Sequence, residues 1–247
     1  MKTVLVTGGS RGIGAAVCRL AAKSGYSVAV NFASNEQAAH KVVAEIEAGG
    51  GAVFAVRGDV GTEADVMAMF EAVDKRFGRL DALVNNAGVV DLVARVDEMS
   101  AARIERLLRV NVLGSFLCAR EAIKRMSTRH GGKGGAIVNM SSAAARLGGV
   151  GLYVDYAASK GAIDTMTIGL SREVAREGIR VNAIRPGMIE TEIHADSGDP
   201  DRARKVADTI PAGRPGTAEE IANAVVWLLS DEASYVQGAI LDVSGAR

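Results

Sequence analysis

Seven short apolar runs, rich in β-branched residues, alternate with longer segments of helical pattern along most of the chain. The runs are TVLVT (3–7), SVAVNF (27–32), AVFAVR (52–57), ALVN (82–85), AIVNM (136–140), RVNAI (180–184) and AILDV (239–243). Helical patterns occupy 12–24, 35–48, 62–77, 101–128, 157–177 and 218–230. Strands apolar on both sides suit a parallel sheet covered on both faces. Alternation of strand and helix predicts an α/β fold, a doubly wound seven-stranded parallel sheet with right-handed crossovers. No repeat, low-complexity tract or linker divides the 247 residues, a length that one large domain fills. One domain is expected.

The least regular stretch is 187–217, with Pro186 at its edge and Pro200, Pro211 and Pro215 within it. A long irregular stretch in a compact fold suits a lid over a ligand, here with a helical middle near 201–209. Met188, Ile189, Ile193 and His194 would offer that ligand a partly apolar face.

Charge excludes some functions. The chain has 29 basic and 29 acidic residues, so no net field recruits nucleic acid or an anionic membrane. Cys18 and Cys118 lie in apolar helical stretches and read as buried thiols of a reduced protein. The first apolar run is too short for a signal peptide, and no stretch is long enough to span a bilayer. A cytoplasmic location is expected. His40, His130 and His194 are scattered, no cluster has metal-ligand spacing, and no metal is expected.

TGGSRGIG (7–14) follows the first strand and opens the first helix. Glycines at 8, 12 and 14 allow a sharp turn and a close backbone approach to a ligand. The helix N-terminus then offers N–H groups to a pyrophosphate. The whole turn, Gly8, Ser10, Arg11, Gly12, Ile13 and Gly14, is assigned to a dinucleotide. After the second strand, residues 31–35 carry no carboxylate of the kind that holds an NAD ribose, and Glu36 falls in the next helix. Arg11 suits a 2′-phosphate, with Ser34 and Asn35 as donors to it, which favours NADP over NAD.

Two tyrosines stand in LYVDYAASK, but only Tyr156 has a lysine, Lys160, four residues on and so on the same helix face. The pair gains meaning from the other motifs. TGGSRGIG, GDV (58–60), NNAG (85–88), RVNVLGSF (109–116), NMSS (139–142), YAASK (156–160) and RPGMIETEI (185–193) occur in an order that resembles the short-chain dehydrogenase/reductase family. The resemblance covers essentially the whole chain and implies a single Rossmann domain, a nicotinamide cofactor and a homotetramer.

By that resemblance Asp59 contacts adenine beside Val60, and Asn86, Ala87 and Gly88 lie along the cofactor. Pro186, Gly187, Ile189 and Thr191 cradle the nicotinamide end. Asn111, Ser142, Tyr156 and Lys160 form the catalytic set, with Tyr156 and Lys160 also touching cofactor and Ser141 the weaker serine. The spacing from Ser142 to Tyr156 is one residue longer than the family's usual one, and LDVSGAR lacks its paired terminal glycines. For tetramer pairing, Gly114, Ala119, Ala162 and Gly169 would allow the long helices to pack closely.

Physical chemistry supports the pair. A free phenol has a pKa of about 10, and lowering it by roughly three units takes about 4 kcal/mol. An ammonium about 4 Å away supplies on the order of 4 kcal/mol at an effective dielectric of about 20. Tyr156 would exchange a proton with a carbonyl oxygen, Ser142 would orient that oxygen, and Asn111 with a water would resupply the proton through Lys160. The expected substrate is a small carbonyl or alcohol compound, 3-oxoacyl-thioester-like and so possibly linked to an acyl carrier. A sugar dehydrogenase of the same family is the alternative, and a non-catalytic NADP(H) sensor stands further off because all four catalytic positions are filled. An acidic carrier would need a basic patch, for which Arg125, Arg129, Lys133 and Arg172 are the candidates. Tyr153 reads as a wall of the substrate pocket or a packing residue.

Overall fold

The computed structural model describes residues 1–192 and 197–247. Strands β1 (Lys2–Val6), β2 (Tyr26–Phe32), β3 (Val53–Arg57), β4 (Ala82–Asn85), β5 (Gly135–Met140), β6 (Ile179–Pro186) and β7 (Ile240–Val243) form one sheet. Their order is β3-β2-β1-β4-β5-β6-β7, and every neighbouring pair is parallel. The order reverses between β1 and β4, which opens a crevice beyond the carboxyl ends of these strands. Register is continuous across that point: Val4, Leu5 and Val6 pair with Ala82, Leu83 and Val84.

Successive side chains of each strand enter opposite layers, and both layers are dry. Val4, Val6, Val28 and Val30 pack with helices α1 (Gly12–Lys23), α2 (Glu36–Ala48) and the late helix Ala218–Leu229. Leu5, Ala29, Leu83 and Ile137 pack on the other face with α3 (Glu63–Phe77) and with the helices Gly114–Met126 and Val154–Val174. Leu83 and Ile137 have no solvent exposure, so truncating either to alanine would cost about 2–5 kcal/mol.

The predicted helix over 101–128 is interrupted. It comprises α4 (Ala101–Leu108), a π turn at Arg109–Leu113 and α5 (Gly114–Met126), after which the chain leaves the helix. Gly114 and Ala119 are buried within the protomer and do not face a partner: a Cβ on Gly114 would lie 2.7 Å from Val60 Cγ2. A short helix α6 (Ala144–Leu147) follows β5. α7 (Val154–Val174) begins three residues before the predicted 157, with Tyr153 at its N-cap, so Tyr156 stands in its first turn.

Within 187–217 the helical middle reduces to α8 (Arg202–Lys205) and a single 3₁₀ turn at Ala207–Thr209. The lid candidates Ile193 and His194 lie outside the described residues. The last helix, α9 (Ala218–Leu229), starts at a capping box in which Thr217 and Glu220 bond reciprocally. Among the described residues no helix is long and apolar enough to cross a membrane.

Candidate functional site

The glycine turn joins β1 to α1 and is fixed mostly by main-chain bonds. Gly8 and Gly12 have φ of 61° and 51°, which glycine adopts without strain. A Cβ on Gly14 would meet the Gly8 carbonyl oxygen at 2.3 Å and Asn86 Nδ2 at 2.5 Å. The start of α1 therefore lies flush against the turn. Arg11, exposed, stands at the N-cap of α1, and its side chain makes no capping hydrogen bond to the first helical turn.

Three side chains outside the glycines hold this turn in place. Thr7 Oγ1 accepts from Asn86 N at 2.9 Å and Ala87 N at 3.0 Å, while Asn86 Nδ2 donates to the Thr7 and Gly8 carbonyls. Asn31, buried at the end of β2, accepts from Gly8 N at 3.1 Å and donates to the Gly58 carbonyl at 3.0 Å. The cradle fits a dinucleotide pyrophosphate: glycine backbone, and a helix N-terminus with no side-chain cap hydrogen bond and no acid in its first turn.

Ser34, Asn35, Asp59 and Val60 lie away from the main cavity, beyond the ends of β2 and β3. Asn35 Oδ1 caps α2 by accepting from Ala38 N at 3.0 Å, which leaves its amide nitrogen as the donor. Asp59 Oδ1 accepts from Gly61 N at 2.9 Å, and Val60 is buried under Gly114. Glu36, the first acid after β2, lies 3.4 Å from His40 within its own helix. Arg57, at the end of β3, donates from Nε to the Ala33 carbonyl at 3.3 Å. The sequence reading missed this second guanidinium beside the 33–35 turn, because only strand pairing brings residue 57 next to it.

At the other end, one cavity of about 430 Å³ brings together Ser142, Tyr156 and Lys160 with Ile13, Asn86 and Gly88 and with Pro186, Gly187, Ile189 and Thr191. Ser141 is buried, and its hydroxyl donates to the Lys160 carbonyl at 3.2 Å, a structural role. Ser142, whose Oγ accepts from Ala144 N at 3.1 Å, is the serine that shares the cavity with Tyr156 and acts on its phenol. Thr191 closes toward the glycine turn, 3.4 Å from where a Gly12 Cβ would stand.

Asn111 occupies the π turn. Its side chain accepts from Val89 N at 2.8 Å and donates to the Val89 carbonyl at 3.0 Å and Ser159 Oγ at 3.1 Å. Asn111 Oδ1 and Lys160 Nζ both border the space beside Gly88, at 3.4 and 3.6 Å from where its Cβ would be.

Lys160 Nζ donates to the Met140 carbonyl at 2.7 Å and lies 5.6 Å from the Tyr156 ring centroid. Burial lowers the lysine to about 8, with Asp164 opposing. Burial raises the Tyr156 phenol above its ordinary value, and the nearby Ser142 hydroxyl acts the other way. The expected depression of the phenol by Lys160 is therefore not what the protein has: the ammonium is turned to a carbonyl, and desolvation of the phenol outweighs the remaining effects.

The basic patch does not form at the cavity. Arg125 stacks on Phe70 and pairs with Asp74 and Glu121, and Arg129 lies 4.0 Å from Glu177. These residues, with Lys133, follow the C-terminal half of α5 and lead into the start of β5, while Arg172 ends α7. All four therefore lie toward the amino ends of the strands, and the cavity opens at the carboxyl ends. Tyr153 does line the cavity, as expected, and accepts a hydrogen bond from Arg202. Among the described residues no group of three or more His, Cys, Asp or Glu side chains is placed to hold a metal ion.

A doubly wound parallel sheet with a glycine cradle at its switch point, and a Ser–Tyr–Lys set beside it, defines a dinucleotide-binding oxidoreductase architecture. The family model described as enoyl-(acyl carrier protein) reductase matches residues 8–245. The chain is 55% identical to an uncharacterized oxidoreductase, YgfF, of Escherichia coli, over 100% of both chains. It is 40% identical to 3beta-hydroxysteroid dehydrogenase 1 of Eggerthella lenta, covering 99% of this chain and 92% of that one. It is 37% identical to the 3-oxoacyl-[acyl-carrier-protein] reductase FabG of Staphylococcus aureus, covering 99% and 97%. A crystal structure of a dehydrogenase/reductase from Sinorhizobium meliloti superimposes with a TM-score of 0.91 at 33% identity, covering 99% of this chain and 94% of that one. The chain belongs to the short-chain dehydrogenase/reductase family and is an oxidoreductase of that family.

Proposed function

We propose that the protein is an NADP(H)-dependent oxidoreductase that reduces a carbonyl, or oxidises the matching secondary alcohol, with 3-oxoacyl thioesters as the reference substrate class. The observation that carries this reading is the convergence of Ser142, Tyr156 and Lys160 on one cavity with Ile13, Gly187 and Thr191. When bound, a nicotinamide supplies or accepts the hydride. Tyr156 Oη holds the proton that the substrate oxygen takes up, and its raised pKa keeps the phenol protonated at neutral pH. Ser142 Oγ orients that oxygen and stabilises its developing charge. Lys160, anchored on Met140, and Asn111, anchored on Val89, face one space beside Gly88, where a water resupplies the proton.

NADP rather than NAD is supported by Arg57 bonded to a β2–α2 turn without a carboxylate, and by Arg11 in the glycine turn. A sugar substrate is less well matched, because the outer cavity is lined by Leu147, Val150, Leu152 and Met188. A homotetramer and a cytoplasmic location belong to the same reading; exposed Phe116 and Ile168, and open space beside Gly169, support helix pairing between copies. The test is turnover of NADPH and NADH with an acetoacetyl thioester, diketones and simple ketones, and of NADP with sugars, beside Tyr156→Phe. Turnover abolished in the variant supports the reading. Tight NADPH binding without turnover on a broad panel would favour a sensor.

A further inference from the structure

The chain is balanced, with 29 basic and 29 acidic residues, but its cavity is not. Lys160, Arg202 and Arg247 line it, and no Asp or Glu among the described residues does. Lys160 belongs to the catalytic set and is bonded to the Met140 carbonyl. The two arginines have no such role.

Arg202 enters from α8, with its guanidinium carbon 4.7 Å from the Tyr153 ring centroid and an N–H donated to the Tyr153 hydroxyl. Tyr153 stands three residues before Tyr156, on the same side of the start of α7. The Arg202 charge is therefore held about one helical turn from the proton donor. Arg247 reaches the cavity from beyond β7. Its carbonyl accepts from Arg146 Nη2 at 3.0 Å and Ser244 Oγ at 3.1 Å, which pins the backbone. Its Nη1 is buried with no hydrogen-bond partner among the described residues. Neither guanidinium has an Asp or Glu side chain within ion-pair distance among those residues; the neighbouring acids Asp199 and Glu190 pair with Lys205 and Arg204.

A guanidinium nitrogen buried without a partner, as at Arg247, is costly, and it and the half-buried Arg202 on the same cavity would be compensated by an anion that enters with the ligand. The glycine cradle already supplies a site for the cofactor pyrophosphate at the α1 end of the cleft. We propose that the substrate carries an anionic group, a carboxylate or a phosphate, bound between Arg202 and Arg247. The protein then acts on small oxo-acids or phosphorylated ketones in preference to their neutral counterparts. This inference rests on the oxidoreductase reading above for the carbonyl, but not for the anion.

The experiment is calorimetric titration of the full chain saturated with oxidised dinucleotide, in which a ketone binds without being reduced. Two matched pairs serve as probes: 5-oxohexanoate against its methyl ester, and dihydroxyacetone phosphate against dihydroxyacetone. The charged member of one pair should bind roughly tenfold or more tightly than the neutral one, the size of one hydrogen bond to a charged group. Whichever pair discriminates identifies carboxylate or phosphate. In Arg202→Gln and in Arg247→Gln the ratio should fall toward one.

Equal binding within both pairs, or binding of neither charged probe, overturns the proposal without recourse to a variant. An unchanged ratio in both variants also overturns it. So does a matching loss of dinucleotide affinity, which would assign the guanidiniums to the cofactor. Failure of the reductase reading looks different: the charged probe binds through the arginines, but no NADPH is consumed with it.

Discussion

At the dinucleotide end of the cleft, position is set by main-chain groups and short polar ties: glycines at 8, 12 and 14, Thr7 clasping Asn86, and Asn31 clasping Gly8. At the substrate end, position is set by side chains from distant segments, with Arg202 on Tyr153 and Arg247 beside Arg146. The first end tolerates almost no added atoms. The second has open space, about 430 Å³ lined largely by side chains, and in the loop beside it Gly148 and Gly151 have room, although a Cβ on Gly149 between them would meet the Tyr153 carbonyl. On the function proposed above, cofactor recognition would be fixed by backbone geometry, whereas substrate recognition could change one side chain at a time without disturbing the sheet.

The largest expected effect lies where the two ends meet. Tyr156→Phe should lower kcat by about 10²–10⁴, the usual worth of a positioned acid–base group, with NADPH binding retained in a fluorescence titration. Loss of binding along with turnover would place Tyr156 in the cofactor half instead.

Glycine substitutions test the contrast directly. Gly14→Ala forces a Cβ to 2.3 Å from the Gly8 oxygen, so denaturation should show a loss of about 1–3 kcal/mol, with weakened NADPH binding. Gly213→Ala, at φ 72° with nothing within 4 Å, should cost only the left-handed backbone penalty of about 1–2 kcal/mol and spare NADPH binding. Equal effects on cofactor affinity would erase the distinction.

Arg57→Ala should weaken NADPH by about tenfold, the loss of one charge-assisted hydrogen bond, and leave NADH little changed. Equal weakening of both would remove Arg57 from the 2′-phosphate.

The smallest effect is in pH. With Lys160 lowered to about 8, reductive kcat/KM should be flat below that pH and fall above it as the ammonium is lost. The stability sign follows from linkage. Between about 8 and the ordinary lysine value of 10.5, the unfolded chain binds more protons at this residue than the folded one. This group's contribution to stability therefore rises as pH climbs through that window. In Lys160→Met both the kinetic decline above pH 8 and this part of the stability slope should disappear.

Most of the fold was legible because parallel strands buried on both faces announce themselves as apolar runs, and the predicted strand ends fall within two residues of the observed ones. The glycine turn between β1 and α1 was legible for a similar reason: its geometry is local. Arg57, Arg202 and Arg247 were not, since each acquires its place through pairing or packing with residues far along the chain. Linear clustering also misled. Arg125, Arg129 and Lys133 look like a patch in sequence, but Arg125 is satisfied by Asp74 from α3 and Glu121 from its own helix. The early start of α7 was missed because three glycines at 148, 149 and 151 precede it and mask the helical pattern.

The π turn at Arg109–Leu113 has a consequence for the helix on either side of it. A π turn holds about one residue more than an α turn, and one residue corresponds to a rotation of about 100° around the axis. Ala101–Leu108 and Gly114–Met126 therefore run as one rod with a phase slip between them, and Asn111 sits at the slip. No single amphipathic phase describes both halves. Deleting one residue there would leave the rod nearly as long while turning one half out of step with the other, a shift in angle rather than in length.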